Sequence, residues 1–434
     1  MHLDTIELEN FKNFGLTSIR FIQGVNLFVG INGSGKTSLL EAINVAMGGF
    51  FGSQEQKMQR VIAFDEIKIT RGRREATTHV AASSAVINGT WTRTIRRDSK
   101  TNDTKGIKLV SDYGKHFFDA FEDFEDKTIA PLIAYYSSQR LFKDSYLSGK
   151  QKYDAAAGRR NGYLQCLGEN AIKPVLNEWL ANAVTKRATM HIKEIVSEDL
   201  VLANVEEVIR YTLIKFLNIS PDFPLKIYQD PDFNNELFLQ FDEEHPLPMS
   251  HYSDGFRNLL YLVIDLMWRA SQLNPWLPIE AIKENIVGVV TIDEIDLHLH
   301  PTWQAMAIDL LQELFPNVQF FITTHSPTVV ANFEGGTLFT IDSSNVTRID
   351  GHYFGKEVNV VLRDILGSPD RHRPTQNKID LLLKKIDENL ADADIAHLLT
   401  ELTALLGKED RDIQRAKSLI HLKQVKNENP DAVH

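Results

Sequence analysis

The apolar positions of this chain change period several times, and each change marks an element. "TIELENFKNFG", residues 5–15, begins as an alternating strand, and "GVNLFVG" follows as a second, fully apolar one. "TSLLEAINVAM" then places Leu39, Leu40, Ile43 and Met47 on one helical face. A period of two returns in "EIKIT", "THVAAS" and "TWTRTIRR", with Asn88-Gly89 between "AVI" and "TWTRT" as a hairpin signal. "PLIAYYSSQR" reads as a strand running into a polar loop. From residue 141 to 248 the pattern is mainly helical, with "NAIKPVLNEWLANAV" and "VEEVIRYTLIKFL" as amphipathic segments. Beyond Ser250 a helix leads to the apolar strands "NIVGVVTI" and "VQFFITT". Three helical segments follow: "KIDLLLKKIDENL", "ADIAHLLTELTALL" and "EDRDIQRAKSLIHL".

At 434 residues the chain exceeds one ordinary core, so more than one lobe is expected. The pattern divides it into 1–140, 141–249, 250–345 and 346–434. Cys166, the one cysteine, excludes a disulfide framework and fits a reducing interior. Acids at Asp4, Glu7 and Glu9 argue against a targeting leader. "LLYLVIDLMW" is too short to span a bilayer and carries Asp265. The expectation is a cytoplasmic protein without membrane association. A net charge of −11 disfavours a generally DNA-coating surface but leaves room for a local basic stripe.

Chemistry concentrates at the ends of the apolar strands. Gly30 to Thr37 fit Gly, four free positions, then Gly-Lys-Thr, the Walker A pattern. Glycines let the backbone curl so that successive N–H groups converge on one anion. Gly30, Asn32, Gly33, Ser34, Gly35, Lys36, Thr37 and Ser38 are thus expected around a bound nucleotide. Lys36 reaches phosphate, the Thr37 hydroxyl is placed to ligate Mg²⁺, and the loop ends at a helix N-terminus. "NIVGVVTIDE" ends in Asp293 and Glu294, a Walker B pattern: one acid supports Mg²⁺, and the next orients or deprotonates the attacking water. His325 in "FFITTHSP" ends another apolar strand, where a γ-phosphate sensor would be useful. Ser253 and Gly255 in "MSHYSDGFRNLLYLVI" open a helix, offering a hydroxyl and free N–H groups to an anion or simply an N-cap.

Other features carry a simpler reading. His298 and His300 alternate like a ligand pair, but no Cys or third ligand lies nearby. Arg71, Arg73, Arg74, Arg93, Arg96 and Arg97 fit a solvated sheet face better than a phosphate-tracking stripe. "ADAD", residues 391–394, mimics paired nuclease carboxylates but sits at a helix start, where capping accounts for it.

The order of the motifs resembles that of ABC-type ATPases. More narrowly, "ELENFKNF", "DEIDLHLHP" and "TTHSP" are similar to the RecF/SMC-like branch and to the stand-alone ATPases of anti-phage defence found in Septu and retron systems. The resemblance covers roughly residues 1–140 and 245–340. It implies an α/β ABC-ATPase P-loop core with an antiparallel β subdomain, a helical lobe and a C-terminal helical appendage. It also implies ATP with Mg²⁺, and Gln139 as the residue joining the metal and water shell. Glu294 would be the catalytic base, Asp296 the start of the D-loop, and His325 the switch histidine. Ser253 and Gly255 would contact the nucleotide of a partner subunit, although "YSDGF" departs from Leu-Ser-Gly-Gly-Gln. A homodimer or higher homo-oligomer follows.

The leading expectation is an ATPase and sensor subunit controlling a separate nuclease, with an HNH-type enzyme favoured, since the chain carries no convincing nuclease motif. The alternative is a RecF-like repair ATPase that binds DNA directly; nucleic acid could also be met through the partner. The stripes of Leu381, Leu382, Ile386, Leu398, Leu399, Leu402, Leu405 and Leu406 between Thr375 and Leu422 must be buried. They could serve as a docking module or pack on the protein's own helical lobe.

Overall fold

A computed structural model describes residues 1–54, 58–123, 125–138, 153–168, 173–192, 199–230, 236–240, 246–351, 353–367, 371–388 and 393–428. Two compact units result, 1–361 and 362–434.

In the first unit a six-stranded sheet runs in the order Asn345–Arg348, Gly336–Asp342, Val25–Val29, Val318–Thr324, Gly288–Ile292, Leu132–Tyr136. All its pairings are parallel except that of the Asn345–Arg348 edge. The four strands from Val25–Val29 to Leu132–Tyr136 are buried along their whole length. This is why they read as unbroken apolar runs: a parallel sheet is covered on both faces. Because these strands point the same way, Gly30, Ser137, Asp293 and His325 all leave one edge of the sheet. Segments far apart in sequence thereby converge.

A second, antiparallel sheet has the order Thr17–Arg20, Thr5–Glu9, Thr77–Ser84, Gly89–Arg96. Thr77–Ser84 alternates strictly between buried and half-exposed positions, the period-two signature of a one-sided sheet. Helix Lys36–Met47 is packed between this sheet and the six-stranded one. It is therefore buried from Leu39 through Met47, not only on the expected Leu39, Leu40, Ile43 and Met47 face. Buried donors tie its end to the antiparallel sheet: Trp91 Nε1 donates to Ala46 O at 2.9 Å, and Arg93 Nη2 to Gly48 O at 3.0 Å.

Arg93 is thus a core residue, and burial lowers its guanidinium to about 10. Arg74 lies over the Phe64 ring, and Arg97 Nη1 donates to Arg74 O at 3.1 Å. The six arginines accordingly do not form one continuous stripe. The Asn88-Gly89 pair does mark a hairpin, but the register joins Ser84 to Gly89, so residues 85–88 form a four-residue turn. Val86 and Ile87 belong to that turn, not to a strand. A two-residue hairpin occurs instead at Ser343-Ser344, with φ of 47° and 74° between paired Asp342 and Asn345.

Between the two halves of the core, helices Lys173–Ile192 and Leu200–Leu217 appear as the periodicity implies. Leu200–Leu217 packs on helix Asp254–Leu273, with Asn204 Nδ2 donating to Ser271 Oγ at 3.0 Å. A small antiparallel sheet of Lys226–Asp230, Glu236–Gln240 and Leu247–Pro248 also lies there; the sequence reading did not include it.

The second unit contains helices Arg373–Glu388, Ala393–Leu406 and Arg411–Glu428. Ile379, Leu382, Ile386, Ile395, Leu402, Ile413 and Ala416 form their common core, with Leu398, Leu399 and Leu406 packed around it. The stripes therefore bury largely against one another, while Leu381 and Leu405 stay exposed. Within "ADAD", residues 391 and 392 lie outside the described residues, and Asp394 pairs with Lys385 at 2.8 Å.

Candidate nucleotide site

The turn after Val25–Val29 wraps around the start of helix Lys36–Met47. Gly35 sits at φ 115°, where a Cβ would lie 2.6 Å from Asn13 Nδ2. Only glycine meets both demands. Lys36 folds back so that its ammonium donates to the carbonyls of Gly30 at 2.8 Å and Ile31 at 3.0 Å. Burial lowers it to about 8, although Asp293, Glu294 and Asp296 act in the opposite direction.

The Walker B acids meet the helix directly. Thr37 Oγ1 donates to Asp293 Oδ2 at 2.8 Å, and Thr323 Oγ1 donates to Asp293 Oδ1 at 2.6 Å. Thr323 Oγ1 also accepts the Glu294 N–H at 2.8 Å. Glu294 itself takes the left-handed conformation at φ 51°, which holds its side chain against the pocket at a cost in backbone energy. On the next strand exit, Asp296 Oδ1 accepts from Thr324 Oγ1 at 2.5 Å and from the His325 N–H at 3.4 Å. Burial and then the neighbouring Lys36 charge lower the His325 imidazole, which favours its neutral form.

These groups border a cavity of about 410 Å³, lined by Lys12, Asn13, Asn32, Gly33, Gly35, Lys36, Thr37, Ser38, Glu294 and His325. Ser34, in the same turn but outside that lining, keeps a buried hydroxyl with no hydrogen-bond partner among the described residues. The cavity thus gathers a recessed cation, a helix N-terminus, a carboxylate at a strand end and a neutral imidazole. That donor set suits a polyphosphate, and the paired Thr37 hydroxyl and Asp293 carboxylate suit a hard divalent cation.

Lys12 and Asn13 were not singled out from the sequence. Lys12 pairs with Glu41 and lies 3.6 Å from Glu66, and Asn13 Nδ2 donates to Ser34 O at 3.4 Å. Their signal was confined to "FKNF", a turn whose place beside the phosphate loop depends on long-range packing. Thr323 was equally hidden inside an apolar strand.

Ser253 and Gly255 are not among the residues lining this cavity. Ser253 Oγ accepts the Phe256 N–H at 3.4 Å as the N-cap of helix Asp254–Leu273. A Cβ on Gly255 would lie 2.1 Å from the His298 carbonyl oxygen, so the helix start rests directly on the segment after Walker B. Gln139 falls outside the described residues. Among those residues no cluster of His, Cys, Asp and Glu could hold a metal; His300 N-caps the helix Pro301–Gln304, accepting the Thr302 N–H.

Comparison with known proteins agrees with this chemistry. Residues 5–213 match the AAA domain family AAA_23, and residues 181–331 match the family described as "AAA domain, putative AbiEii toxin, Type IV TA system". The retron Vc95 probable ATPase of Vibrio cholerae is 25% identical over 376 residues, 76% of this chain and 71% of that one. The Septu protein PtuA of Bacillus thuringiensis is 22% identical over 382 residues, 85% of each chain. A RecF replication and repair protein of Shewanella denitrificans is 46% identical over 71 residues, 16% of this chain and 19% of its own. The chain is an ATPase, and its motifs resemble those of ABC-type ATPases of the RecF/SMC-like branch. Among the described residues of this ATPase, no helix is long and apolar enough to cross a membrane.

The lowered Lys36 ammonium gives the ATPase an expected pH response. Phosphate binding requires the charged form, which the free site loses above about pH 8. Raising the pH from 8 to 9 should therefore weaken ATP binding by about fivefold. Lys36→Arg, which keeps its charge, should flatten this response. An ATP affinity equal at both pH values in the unaltered protein would show that loss of the Lys36 charge does not limit binding in this range.

Proposed function

We propose that two copies of this ATPase sandwich two ATP molecules, and that the pair is the sensor and regulatory subunit of an anti-phage defence complex controlling a separate nuclease. The observation that carries the reading is the long-range similarity to a retron ATPase and to PtuA, which extends over 76% and 85% of the chain. A nuclease of the HNH type is the favoured partner, and a cytoplasmic location follows from that role.

In this reading Lys36 and the turn from Gly30 to Ser38 hold the phosphates, while Thr37 and Asp293, with Gln139, hold Mg²⁺. The cation would supply neutralisation of phosphate charge. Glu294 takes a proton from the attacking water, and neutral His325 offers a hydrogen bond at the terminal phosphate. Ser253 and Gly255 reach the nucleotide held by the opposing copy, and Asp296 holds the strand exit that bears His325. ATP state then sets the geometry of the pair, and hydrolysis resets it.

The C-terminal unit is the proposed docking element, since it has its own core and keeps Leu381 and Leu405 exposed. A chain truncated after Val361 should still hydrolyse ATP yet no longer retain the nuclease. Retention of the nuclease by the truncated chain would rule out docking through this unit. An insoluble or inactive truncation would place the helices within the ATPase fold. Cleavage that is identical with the unaltered protein and with Lys36→Ala would refute the regulatory role.

The similarity to RecF supports a second reading, direct DNA binding. Tight, salt-sensitive binding of DNA by the isolated protein would favour it.

A further inference from the structure

Helix Asp254–Leu273 carries a buried charge that the site described above does not use. Asp265 is fully buried, and its Oδ2 accepts from Tyr136 OH at 2.6 Å and from Arg269 Nε at 2.8 Å. Its Oδ1 finds no hydrogen-bond partner among the described residues. Arg269 also clamps another segment, donating through Nη1 to Gly162 O at 2.8 Å and to Leu164 O at 3.0 Å. Burial, and then the Asp265 carboxylate, holds the Tyr136 hydroxyl protonated, so it remains a donor.

A buried, incompletely satisfied ion pair contributes little to stability compared with apolar packing. Its placement suggests another use. Tyr136 is the last residue of strand Leu132–Tyr136, and its carbonyl accepts the Asp293 N–H at 2.8 Å. Asp265 is therefore separated from the backbone of the Walker B aspartate only by Tyr136. The helix that bears Asp265 is the one capped by Ser253, about 18 Å away along the helix axis. One rigid element thus has Ser253 at its tip and, through Tyr136, a hold on Asp293.

We propose that Asp265 and Tyr136 are positioning residues for ATP hydrolysis, transmitting the seating of helix Asp254–Leu273 to Asp293. The inference rests on the composite-site reading, in which Ser253 meets the nucleotide of the opposing copy. Engagement of Ser253 sets the position of the helix, Asp265 carries that position to the Tyr136 hydroxyl, and the Tyr136 carbonyl carries it to the Asp293 N–H. Neither residue lines the nucleotide cavity.

Tyr136→Phe removes one hydroxyl and keeps the ring and the Asp265–Arg269 pair. In the full chain, kcat for ATP should fall about tenfold, the value of one hydrogen bond to a charged group. ATP affinity should change less than about twofold, since the phosphate-binding residues are untouched. The double variant with Ser253→Ala should be no slower than the slower single variant, because both changes interrupt one path. Wild-type kcat in Tyr136→Phe would overturn the inference, as would losses that multiply in the double variant. A fall in kcat matched by an equal fall in folded fraction, measured by thermal melting, would reduce the pair to a structural role. If Ser253→Ala alone turns over normally while Tyr136→Phe is slow, the composite-site reading fails. The transmission from Ser253 then fails with it, although Tyr136 would still position Asp293.

Discussion

Replacing Lys36 with Ala should weaken ATP binding by at least about 100-fold, whereas Glu294→Gln should bind ATP normally and hydrolyse it about 100 to 10,000 times more slowly. The two differ because they act at different stages. The Lys36 ammonium already faces the cavity and spends its hydrogen bonds on the Gly30 and Ile31 carbonyls, which a phosphate can replace. Glu294 lies across the cavity, held by its backbone bond to Thr323 at the end of the adjacent strand, where it can act on water. With hydrolysis blocked and binding intact, Glu294→Gln should accumulate as an ATP-bound pair of chains. Nucleotide binding, turnover and light scattering with and without ATP distinguish these outcomes. Turnover by Glu294→Gln at the wild-type rate would remove Glu294 as the base.

Ser253→Arg should abolish ATP-driven pairing while leaving the affinity of each single chain for ATP unchanged. Ser253 lies outside the cavity of its own chain, so its replacement spares the phosphate contacts. The added cation would instead stand where the hydroxyl meets the opposing nucleotide. Mixing Ser253→Arg with Lys36→Ala should restore one composite site, built from an intact Lys36 of one chain and an intact Ser253 of the other. About half of the wild-type activity per mixed pair is the upper limit, since the second site is doubly damaged. Absence of recovery, with both variants folded, would count against sites shared between chains.

Local chemistry and long-range assembly differed in how far they could be read from the sequence. The phosphate loop and the Walker B strand were legible because each packs its requirements into about ten consecutive residues. The C-terminal helices were legible for a similar reason, since helical periodicity is a local property. By contrast, "GTLFTIDSSNVTR" joins the central sheet through a turn at Ser343-Ser344, two residues that rarely supply a positive φ. Asn88-Gly89, the stronger turn signal, lies in a longer connection. Helix Lys36–Met47 looked one-sided because sequence periodicity does not reveal that a second sheet covers its other face. Lys12, Asn13 and Thr323 reach the site only through packing between distant segments.

The strand order also governs when the ATP site can be made. Val25–Val29 is flanked by Val318–Thr324 and Gly336–Asp342, which lie roughly 290 residues or more downstream. At ordinary translation speeds of about 5–20 residues per second, that interval lasts about 15 to 60 s. Throughout it the nascent phosphate loop lacks both neighbouring strands, and an apolar β segment waits without its partners. The enzyme therefore cannot spend ATP before its Walker B acids and His325 have been synthesised.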